Sequence, residues 1–488
     1  MAEGSESVPA GLSTQQISQI QTAFNCDPKN QLSLNLGTRN EPLDLCLCRQ
    51  VVEKTNHVFN HKVNEVKPMT NQKSSGRCWI FALLNCVRQK FVQNMNLDEM
   101  EFSQQYLFFW DKIERSYFFL NNYVELAKKY EDPDGRLMMY LLSNPMNDGG
   151  QWEMLVSLVE KYGLIPKSVW PDSTSAIRSR RMNAILNNKH REYAMVLRKM
   201  VKDGVSEEEI ELMKNKMMAE VYRVVAICLG TPPSTFTWEY YDKSKNYKKI
   251  EGLTPLKFYN EYIKPVFTLR DKVCIVNDPR NEYNKLYTVE YLGNFANGPK
   301  VVYINQPIEV LKYLAAASLR DNEAVWFGCD VGKHFEGKLG ILDLEIHNYD
   351  LAFGISLLGL DKAQRLVYGE SLMTHAMTFT GLSFQDTGDQ SGEKSGVEQK
   401  SEGEEKPVTL KPVTTTKWRV ENSWGDDKGD KGYLVMTDNW FSEYVYEVVV
   451  DKKYVPAELL AILKQEPVVL PAWDPMGALA CVHCGETP

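Results

Sequence analysis

The spacing of apolar residues divides the chain into a helical first half and a strand-rich second half. Residues 12–24 carry apolar side chains at helical intervals, and the mixed pattern of residues 39–66 also favours helix. Residues 101–142 and 173–229 are predicted to be helical, the latter strongly charged. From about Thr268 the pattern changes to short β-branched and aromatic runs, which are typical of strands.

The second half is predicted to contain several short strands around one helix. Residues 385–406 have no apolar periodicity and are rich in Gly, Ser, Glu and Lys, which predicts a disordered loop at the tip of a hairpin. The predicted strands are residues 273–276, 301–304, 324–328, 366–368 and 418–420, and the predicted helix is residues 308–319.

One stretch, NQKSSGRCWIFAL at residues 71–83, places Cys78 between a polar turn and an apolar run that predicts a buried helix. The amide N–H groups at a helix start favour thiolate over thiol, and thiolate is the nucleophilic form. Gln72 lies six residues earlier, where its side-chain amide could join the Cys78 N–H in an oxyanion hole. A cysteine that only packs is the alternative, and this stretch alone leaves both interpretations open.

Two further residues extend this candidate site. The apolar, strand-like segment THAMT carries His375, and ENSWG carries Asn422 at the end of the next predicted strand. If the intervening loop is extruded, the two strands pair and bring Asn422 to His375. An asparagine carbonyl that holds one ring nitrogen leaves the other to exchange a proton with Cys78. A lone buried histidine is more often structural, but Cys, His and Asn in this order favour catalysis.

The paired glycines Gly149 and Gly150 offer a second kind of contact. Without side chains, they would let a peptide backbone approach closely, as the wall of a peptide-binding cleft requires. A tight turn between helices explains the same residues and is favoured on spacing alone.

Neither a metal nor a cofactor is predicted. His57 and His61 lie four residues apart but lack the glutamate of an HExxH motif and a third ligand. Cys481, His483 and Cys484 lack a fourth ligand, so a disordered tail is the favoured interpretation of that segment.

Charge and composition indicate a soluble, cytoplasmic protein. The 56 basic and 64 acidic residues give a net charge of −8, which argues against a chain built to neutralise phosphates. The first residues resemble no signal peptide, no run approaches the length of a membrane span, and the ten cysteines are predicted to be mostly free thiols. A local basic stripe for nucleic acid remains an alternative at Lys243, Lys245, Lys248 and Lys249.

The segments GRCWIFA, THAMTFTG and ENSWG resemble the three active-site signatures of the papain-like cysteine peptidases. The resemblance implies Cys78 as nucleophile, His375 as base, Asn422 as its orienting residue and Gln72 as the oxyanion glutamine. The segment NDGG resembles the family's substrate-contacting glycine turn. Arg77 departs from the family pattern, because a serine is commoner before the nucleophile.

NQKSSGRCWIFA, FGCDVGKHF and LPAWDPMGALA are most similar to the cytosolic aminopeptidase branch of this family. That branch implies an α+β, two-lobed papain-like fold, with a helical lobe, an antiparallel β-barrel-like lobe, a long helical insertion and a C-terminal arm in the cleft. It also implies a homohexamer with its active sites facing an internal channel. The implied substrates are N-terminal residues of peptides and amides, and also homocysteine thiolactone, with nucleic-acid binding in some members.

The arm in this branch ends near Ala480, where its carboxylate meets the substrate's ammonium group. Here the chain continues through residues 481–488, which would misplace that carboxylate unless the enzyme removes them. A scaffold that binds nucleic acid and an acyl transferase with the same three residues remain alternative functions. The predicted divisions are an N-terminal helical arm packing across the lobes (1–66), a helical lobe (67–172), an insertion for oligomerisation (173–268), a β lobe (269–465) and the C-terminal arm with its tail (466–488).

Overall fold

The computed structural model describes residues 11–129, 134–384 and 414–478, in two compact units. The predicted loop at 385–406, Ala480 and the tail at 481–488 lie outside the described residues. The first unit comprises Met1–Thr55 and Leu344–Leu360, and the second comprises Asn56–Asp343 and Asp361–Pro488.

Helices and strands are numbered separately in chain order. The helices are α1 Thr14–Cys26, α2 Pro28–Gly37, α3 Pro42–Cys46, α4 Arg49–Lys54, α5 Cys78–Asn94, α6 Gln104–Lys129, α7 Arg136–Ser143, α8 Trp152–Tyr162, α9 Thr174–Ile177, α10 Arg180–Lys202, α11 Glu207–Leu229, α12 Pro255–Phe258, α13 Ile308–Arg320, α14 Tyr349–Phe353, α15 Lys362–Val367, α16 Asp438–Tyr444 and α17 Ala457–Ala461. The strands are β1 His61–Lys62, β2 Phe236–Tyr241, β3 Tyr247–Leu253, β4 Lys272–Val276, β5 Lys285–Val289, β6 Tyr303–Asn305, β7 Val325–Cys329, β8 Phe335–Glu336, β9 Ile341–Leu342, β10 His375–Phe384, β11 Thr415–Glu421, β12 Tyr433–Thr437, β13 Val445–Asp451 and β14 Val468–Leu470.

The first unit consists of short helices with little buried surface. Helix α1 begins where the periodicity predicts, because Ser13 and Gln16 form a reciprocal capping box at its start. Its apolar residues Ile17, Ile20 and Phe24 are nevertheless exposed, and neither α1 nor α2 buries a residue.

The second unit packs helices against a large mixed sheet, which agrees with the predicted mixed α+β class. The first half of helix α5, residues 78–84, is apolar on every side and lies in the core, and the second half also buries the polar residues Asn85, Arg88 and Gln89. The strand order is β14-β5-β6-β4-β13-β7-β10-β11-β12-β9-β8, with β1 added beside β10. The central pairs from β4 to β12 are antiparallel, and their side chains are almost all buried.

Three predictions of secondary structure were wrong in part. Residues 366–368 are not a strand: the Asp361 side chain accepts from the Gln364 N–H and starts helix α15 instead. The predicted helix at 39–66 ends at Lys54, because the chain beyond it extends to pair β1 with β10. The predicted helical insertion at 173–268 is not helical throughout, because β2 and β3 form an antiparallel ribbon between α11 and α12.

Candidate active site

Helix α5 begins at Cys78, as the apolar run predicts. Two contacts hold its first turn against the sheet. The Trp326 ring N–H in β7 donates to the Trp79 carbonyl at 3.2 Å, and the Thr378 hydroxyl in β10 donates to the Ala82 carbonyl at 3.1 Å. The N-terminal end of the helix is thereby placed over strands β7 and β10, the second of which begins at His375.

His375 and Asn422 are brought together by the predicted hairpin. Strands β10 and β11 pair with Thr378 opposite Glu421, and His375 Nε2 lies 2.9 Å from Asn422 Oδ1. The Ser423 N–H also donates to Asn422 Oδ1, at 2.8 Å, which orients the amide as an acceptor toward the ring. Nε2 therefore carries the ring hydrogen, and proton exchange with a nucleophile falls to Nδ1.

The imidazole is shielded from water. The Trp424 ring lies over it with 5.0 Å between ring centroids, and His375 is buried. Burial lowers the pKa of His375 to about 4, and the hydrogen bond to Asn422 opposes that shift. The ring is consequently neutral near pH 7, as a general base has to be.

The sheet places the start of α5 beside His375. Helix α5, which begins at Cys78, contacts both β7 and β10. Cys329 in β7 is directly opposite His375 in β10, and burial raises the pKa of the Cys329 thiol well above its ordinary value. A buried thiol of that kind is inert, so Cys329 is not an alternative nucleophile.

The side chain of Gln72 is held by both of its amide atoms. Its Nε2 donates to the Ser75 carbonyl at 2.7 Å, and its Oε1 accepts from the Ser423 hydroxyl at 2.7 Å. The Gln72 backbone N–H donates to the Ser423 carbonyl at 2.8 Å, next to Asn422. A primary amide has two N–H bonds, so one of them can still donate to an oxyanion.

The predicted substrate-contacting glycines lie against the start of α5. A Cβ added at Gly150 would come within 2.5 Å of the Trp79 ring, so this close approach requires glycine. The Gln151 amide donates to the Ala478 carbonyl at 3.1 Å, which fixes the described end of the C-terminal arm beside the glycines. Ala480 itself lies outside the described residues.

A buried ion pair at this site was not predicted from the sequence. Lys112 Nζ lies 2.8 Å from Asp148, and the Gly76 N–H of the nucleophile loop donates to the same carboxylate at 3.1 Å. Burial raises the pKa of Asp148, but the charge and hydrogen bonds of Lys112, with hydrogen bonds from Ser179 and Asn183, outweigh it and lower the pKa to about 2. The available signal was the aspartate of the NDGG segment, Asp148, whereas the prediction used only the two glycines that follow it.

The described residues contain no group of three or more His, Cys, Asp and Glu side chains able to hold a metal. The ring Nε2 atoms of His57 and His61 lie 3.2 Å and 2.6 Å from the carbonyls of Leu339 and Leu319, respectively. Within the same described ranges, no disulfide joins the cysteines and no helix is long and apolar enough to cross a membrane. The candidates Cys481, His483 and Cys484 fall outside those ranges.

Sequence comparison defines the class of protein. The model of the peptidase C1-like family matches residues 11–406 and 407–477. The chain therefore belongs to this family and is a papain-like cysteine peptidase.

Curated relatives identify the branch of the family. Bleomycin hydrolase of Mus musculus is 57% identical over 474 residues, which cover 96% of this chain and 99% of the relative, and that of Homo sapiens is 56% identical over the same shares. Aminopeptidase C of Streptococcus thermophilus is 38% identical over 471 residues, again 96% and 99% of the two chains. The crystal structure of PepW from Lactobacillus rhamnosis matches with a TM-score of 0.88 and 40% identity, covering 97% of this chain and all of that one.

Proposed function

We propose that this cysteine peptidase is an aminopeptidase that hydrolyses N-terminal residues from peptides and amides. Cys78 is its nucleophile, His375 its general base and acid, Asn422 the residue that orients the imidazole, and Gln72 a donor to the oxyanion. The observation that carries the proposal is the 2.9 Å contact between His375 and Asn422, formed on strands beside the helix that begins at Cys78.

The chemistry follows from these positions. His375 Nδ1 accepts the Cys78 proton, and the thiolate attacks the substrate carbonyl carbon, forming a C–S bond and an oxyanion. The Cys78 N–H and the second N–H of Gln72 Nε2 donate to that oxyanion. The C–N bond then breaks as the imidazolium returns its proton to the leaving amine. His375 then deprotonates a water that attacks the thioester carbonyl carbon and forms a second tetrahedral intermediate. The C–S bond of this intermediate breaks, the imidazolium returns its proton to the Cys78 sulfur, and the carboxylic acid leaves.

The test compares hydrolysis of amino-acid amides with free and with acetylated N-termini. We expect cleavage of the free amine only, abolished by Cys78→Ala, and rapid alkylation of Cys78 by iodoacetamide. Cys86→Ala is the matched control, since Cys86 is buried on the same helix and burial raises its pKa to about 12. Equal cleavage of acetylated substrates would disprove the aminopeptidase assignment, and full activity of Cys78→Ala would disprove the nucleophile.

Restriction to the first residue is proposed to come from the C-terminal arm. The Arg280–Asp474 ion pair at 2.8 Å and the Gln151–Ala478 hydrogen bond support this, because they fasten the arm beside Gly150. We propose that Gly149 and Gly150 contact the substrate backbone and that a carboxylate at Ala480 binds its ammonium group.

That geometry requires removal of residues 481–488. Intact mass of the purified enzyme should match a chain ending at Ala480, and a variant truncated there should be fully active. An untrimmed enzyme that keeps strict N-terminal specificity would contradict the carboxylate's role.

The substrates are proposed from the names of the relatives and from the thioester chemistry. Bleomycin contains an amide that this site would hydrolyse, and homocysteine thiolactone is a cyclic thioester, an activated acyl group of the kind that a thiolate attacks. Loss of both activities in Cys78→Ala, measured by product chromatography, is the expected result. Free thiols at all described cysteines support a cytoplasmic location.

Nucleic-acid binding is less well supported than peptidase activity. Of the four lysines in the candidate basic stripe, Lys245 pairs with Asp98 at 2.8 Å and Lys249 pairs with Glu251, so part of the charge is neutralised. Binding that falls steeply with added salt and survives Cys78→Ala would be needed to support it.

A further inference from the structure

Arg77, the residue before the candidate nucleophile, is a fully buried cation. Its side chain is 0% exposed, and its Nη1 lies 2.7 Å from the Asp172 carboxylate. The guanidinium also lies 5.2 Å from the centroid of the Phe81 ring and 5.6 Å from that of Phe108. A buried charge is unfavourable unless it is paired and hydrogen-bonded. The burial of a cation next to the candidate nucleophile therefore indicates a role for Arg77 in the active site.

A continuous series of hydrogen bonds leads from Arg77 to the oxyanion glutamine. Arg77 Nε donates to Ser75 Oγ at 2.9 Å, and Ser75 Oγ donates to the Gln72 carbonyl at 2.7 Å. The Ser75 carbonyl in turn accepts from Gln72 Nε2 at 2.7 Å. Ser75 thus contacts both the backbone and the side chain of Gln72, and Arg77 holds the Ser75 hydroxyl in place.

The far end of this series is anchored outside the loop. Asp172 accepts from Arg77 and also lies 3.2 Å from Lys167 Nζ, so two cations hold one carboxylate. Burial raises the pKa of Asp172, but the charge and hydrogen bonds of Arg77, and then those of Lys167, outweigh it and lower the pKa. The carboxylate therefore remains ionised, and the anchor persists at neutral pH.

We propose that Arg77 is a positioning residue for the oxyanion hole, acting through Ser75 on the Gln72 amide. The inference rests on the proposed function, since it assigns Arg77 a role in the same reaction. Substrate does not touch Arg77. The guanidinium restricts the loop between Gln72 and Cys78 so that both oxyanion donors point at one oxygen before substrate arrives.

An alternative role for Arg77 is to stabilise the Cys78 thiolate by its charge, and Arg77→Lys separates the two. Lysine keeps the charge and can pair with Asp172, but its single ammonium lacks the planar fork that reaches Asp172 and Ser75 together. Alkylation of Cys78 uses the thiolate and forms no oxyanion, so it reports the thiolate alone. Hydrolysis of an amide requires both thiolate and oxyanion hole.

The experiment measures kcat, KM and the pH dependence of iodoacetamide alkylation in the full-length enzyme, with Arg77→Lys, Ser75→Ala and the double variant. Loss of one oxyanion donor lowers kcat about 100- to 1,000-fold, so its misplacement should lower kcat roughly 10- to 100-fold. We expect KM within about twofold of wild type and an unchanged alkylation profile. Because both residues act in one series, the fall in kcat of the double variant should be no larger than that of the more impaired single variant.

Arg365→Lys is the matched control, because Arg365 is also a buried arginine that pairs with a carboxylate, that of Glu443, and the series above does not include it. Its kcat should be unchanged. Unchanged kcat in folded Arg77→Lys, multiplied losses in the double variant, or a shifted alkylation profile would each overturn the inference. If Arg77→Lys does not fold, Ser75→Ala alone decides, by whether kcat falls at constant KM. An inactive wild type would instead reject the proposed function.

Discussion

At the residue scale, burial of His375 determines how far into acid the enzyme can work. An exposed imidazole titrates near 6.5, whereas burial lowers the pKa of His375 to about 4. The ring therefore stays neutral as the pH falls from 7 to 5. We expect kcat/KM to decline only as the pH approaches about 4, measured with an amino-acid amide in buffers of constant ionic strength.

Asn422→Ala supplies the control for this pH dependence. The Asn422 hydrogen bond raises the pKa of His375 against the effect of burial, so its loss should move the acid limb to lower pH as well as reduce kcat. An acid limb near 6.5 in the wild type would contradict the assignment of a buried, neutral base.

The same group links folding to pH. The pKa of His375 is lower in the folded chain than in the unfolded one, and the ring is neutral in both states above about pH 6.5. His375 therefore makes the free energy of unfolding depend on pH only below that value. Stability is lost as the pH falls from there towards 4, by on the order of 3 kcal/mol for a difference of 2.5 units. Activity near pH 4 must accordingly be measured beside circular dichroism, so that unfolding is not mistaken for protonation.

Asp148 provides a second prediction at this scale. Asp148→Asn leaves the Lys112 ammonium buried without its counter-ion, so the free energy of unfolding should fall by about 3–5 kcal/mol in urea titrations. Asp203→Asn breaks the exposed Lys199–Asp203 pair and should change it by less than about 0.5 kcal/mol. If the two variants lose similar free energies of unfolding, the charge of Asp148 does not stabilise the nucleophile loop at Gly76.

At the element scale, the position of α5 depends on how closely the Gly150 backbone approaches it. Gly150→Ala would place a methyl group 2.5 Å from the Trp79 ring, whose N–H also donates to the Asp148 carbonyl at 2.7 Å. Trp79 follows Cys78, so displacement of its ring moves the helix start. Because a shift of about 1 Å at a catalytic group can cost about 100-fold, we expect kcat/KM to fall at least 10-fold.

Gly332→Ala is the matched control for this substitution, since a Cβ at Gly332 meets nothing within 4 Å. Its kcat/KM and thermal unfolding midpoint should equal those of the wild type. Wild-type kinetics for Gly150→Ala would mean that α5 and the glycine turn adjust independently.

Helices and strands could be predicted where the residues that determine them lie within the segment itself. Helix α5 and the strands of the β10–β11 hairpin follow from apolar runs within each segment. The strand predicted at 366–368 fails because a cap at Asp361, several residues upstream, starts a helix. The β2–β3 ribbon was missed although Phe236 and Trp238 alternate with exposed residues, a strand signal that the helical pattern before it obscured.

At the scale of the whole molecule, the sequence predicts the residues of the candidate site better than the contacts that support them. Motif order was enough to pair His375 with Asn422. The Lys112–Asp148 and Arg77–Asp172 pairs join segments far apart in the chain, and a charged residue in a sequence does not reveal which distant partner will be buried with it. Such contacts emerge only from packing.

Assembly of the chain into an oligomer is predicted from the exposed apolar side chains of the first unit. The described part of the first unit exposes many large apolar side chains, and such side chains often mark protein–protein contacts. We propose that another copy of the chain covers them, in the homohexamer that the family resemblance implies. The exposed apolar residues of the described first unit are Leu12, Ile17, Ile20, Phe24, Leu32, Leu34, Leu36, Leu43, Leu47, Leu351, Phe353, Ile355, Leu357 and Leu358.

Light scattering coupled to size exclusion should give a mass about six times the 55.9 kDa of one chain. The paired substitution Ile20→Asp with Leu351→Asp should reduce that mass, because burying two carboxylates in an apolar interface is unfavourable. Met139→Asp, at an exposed methionine of the second unit, should leave it unchanged. Ile227→Asp tests the proposed role of the insertion in assembly. A hexamer that persists in the paired variant and dissociates in Ile227→Asp would place the interface on the insertion and not on the first unit.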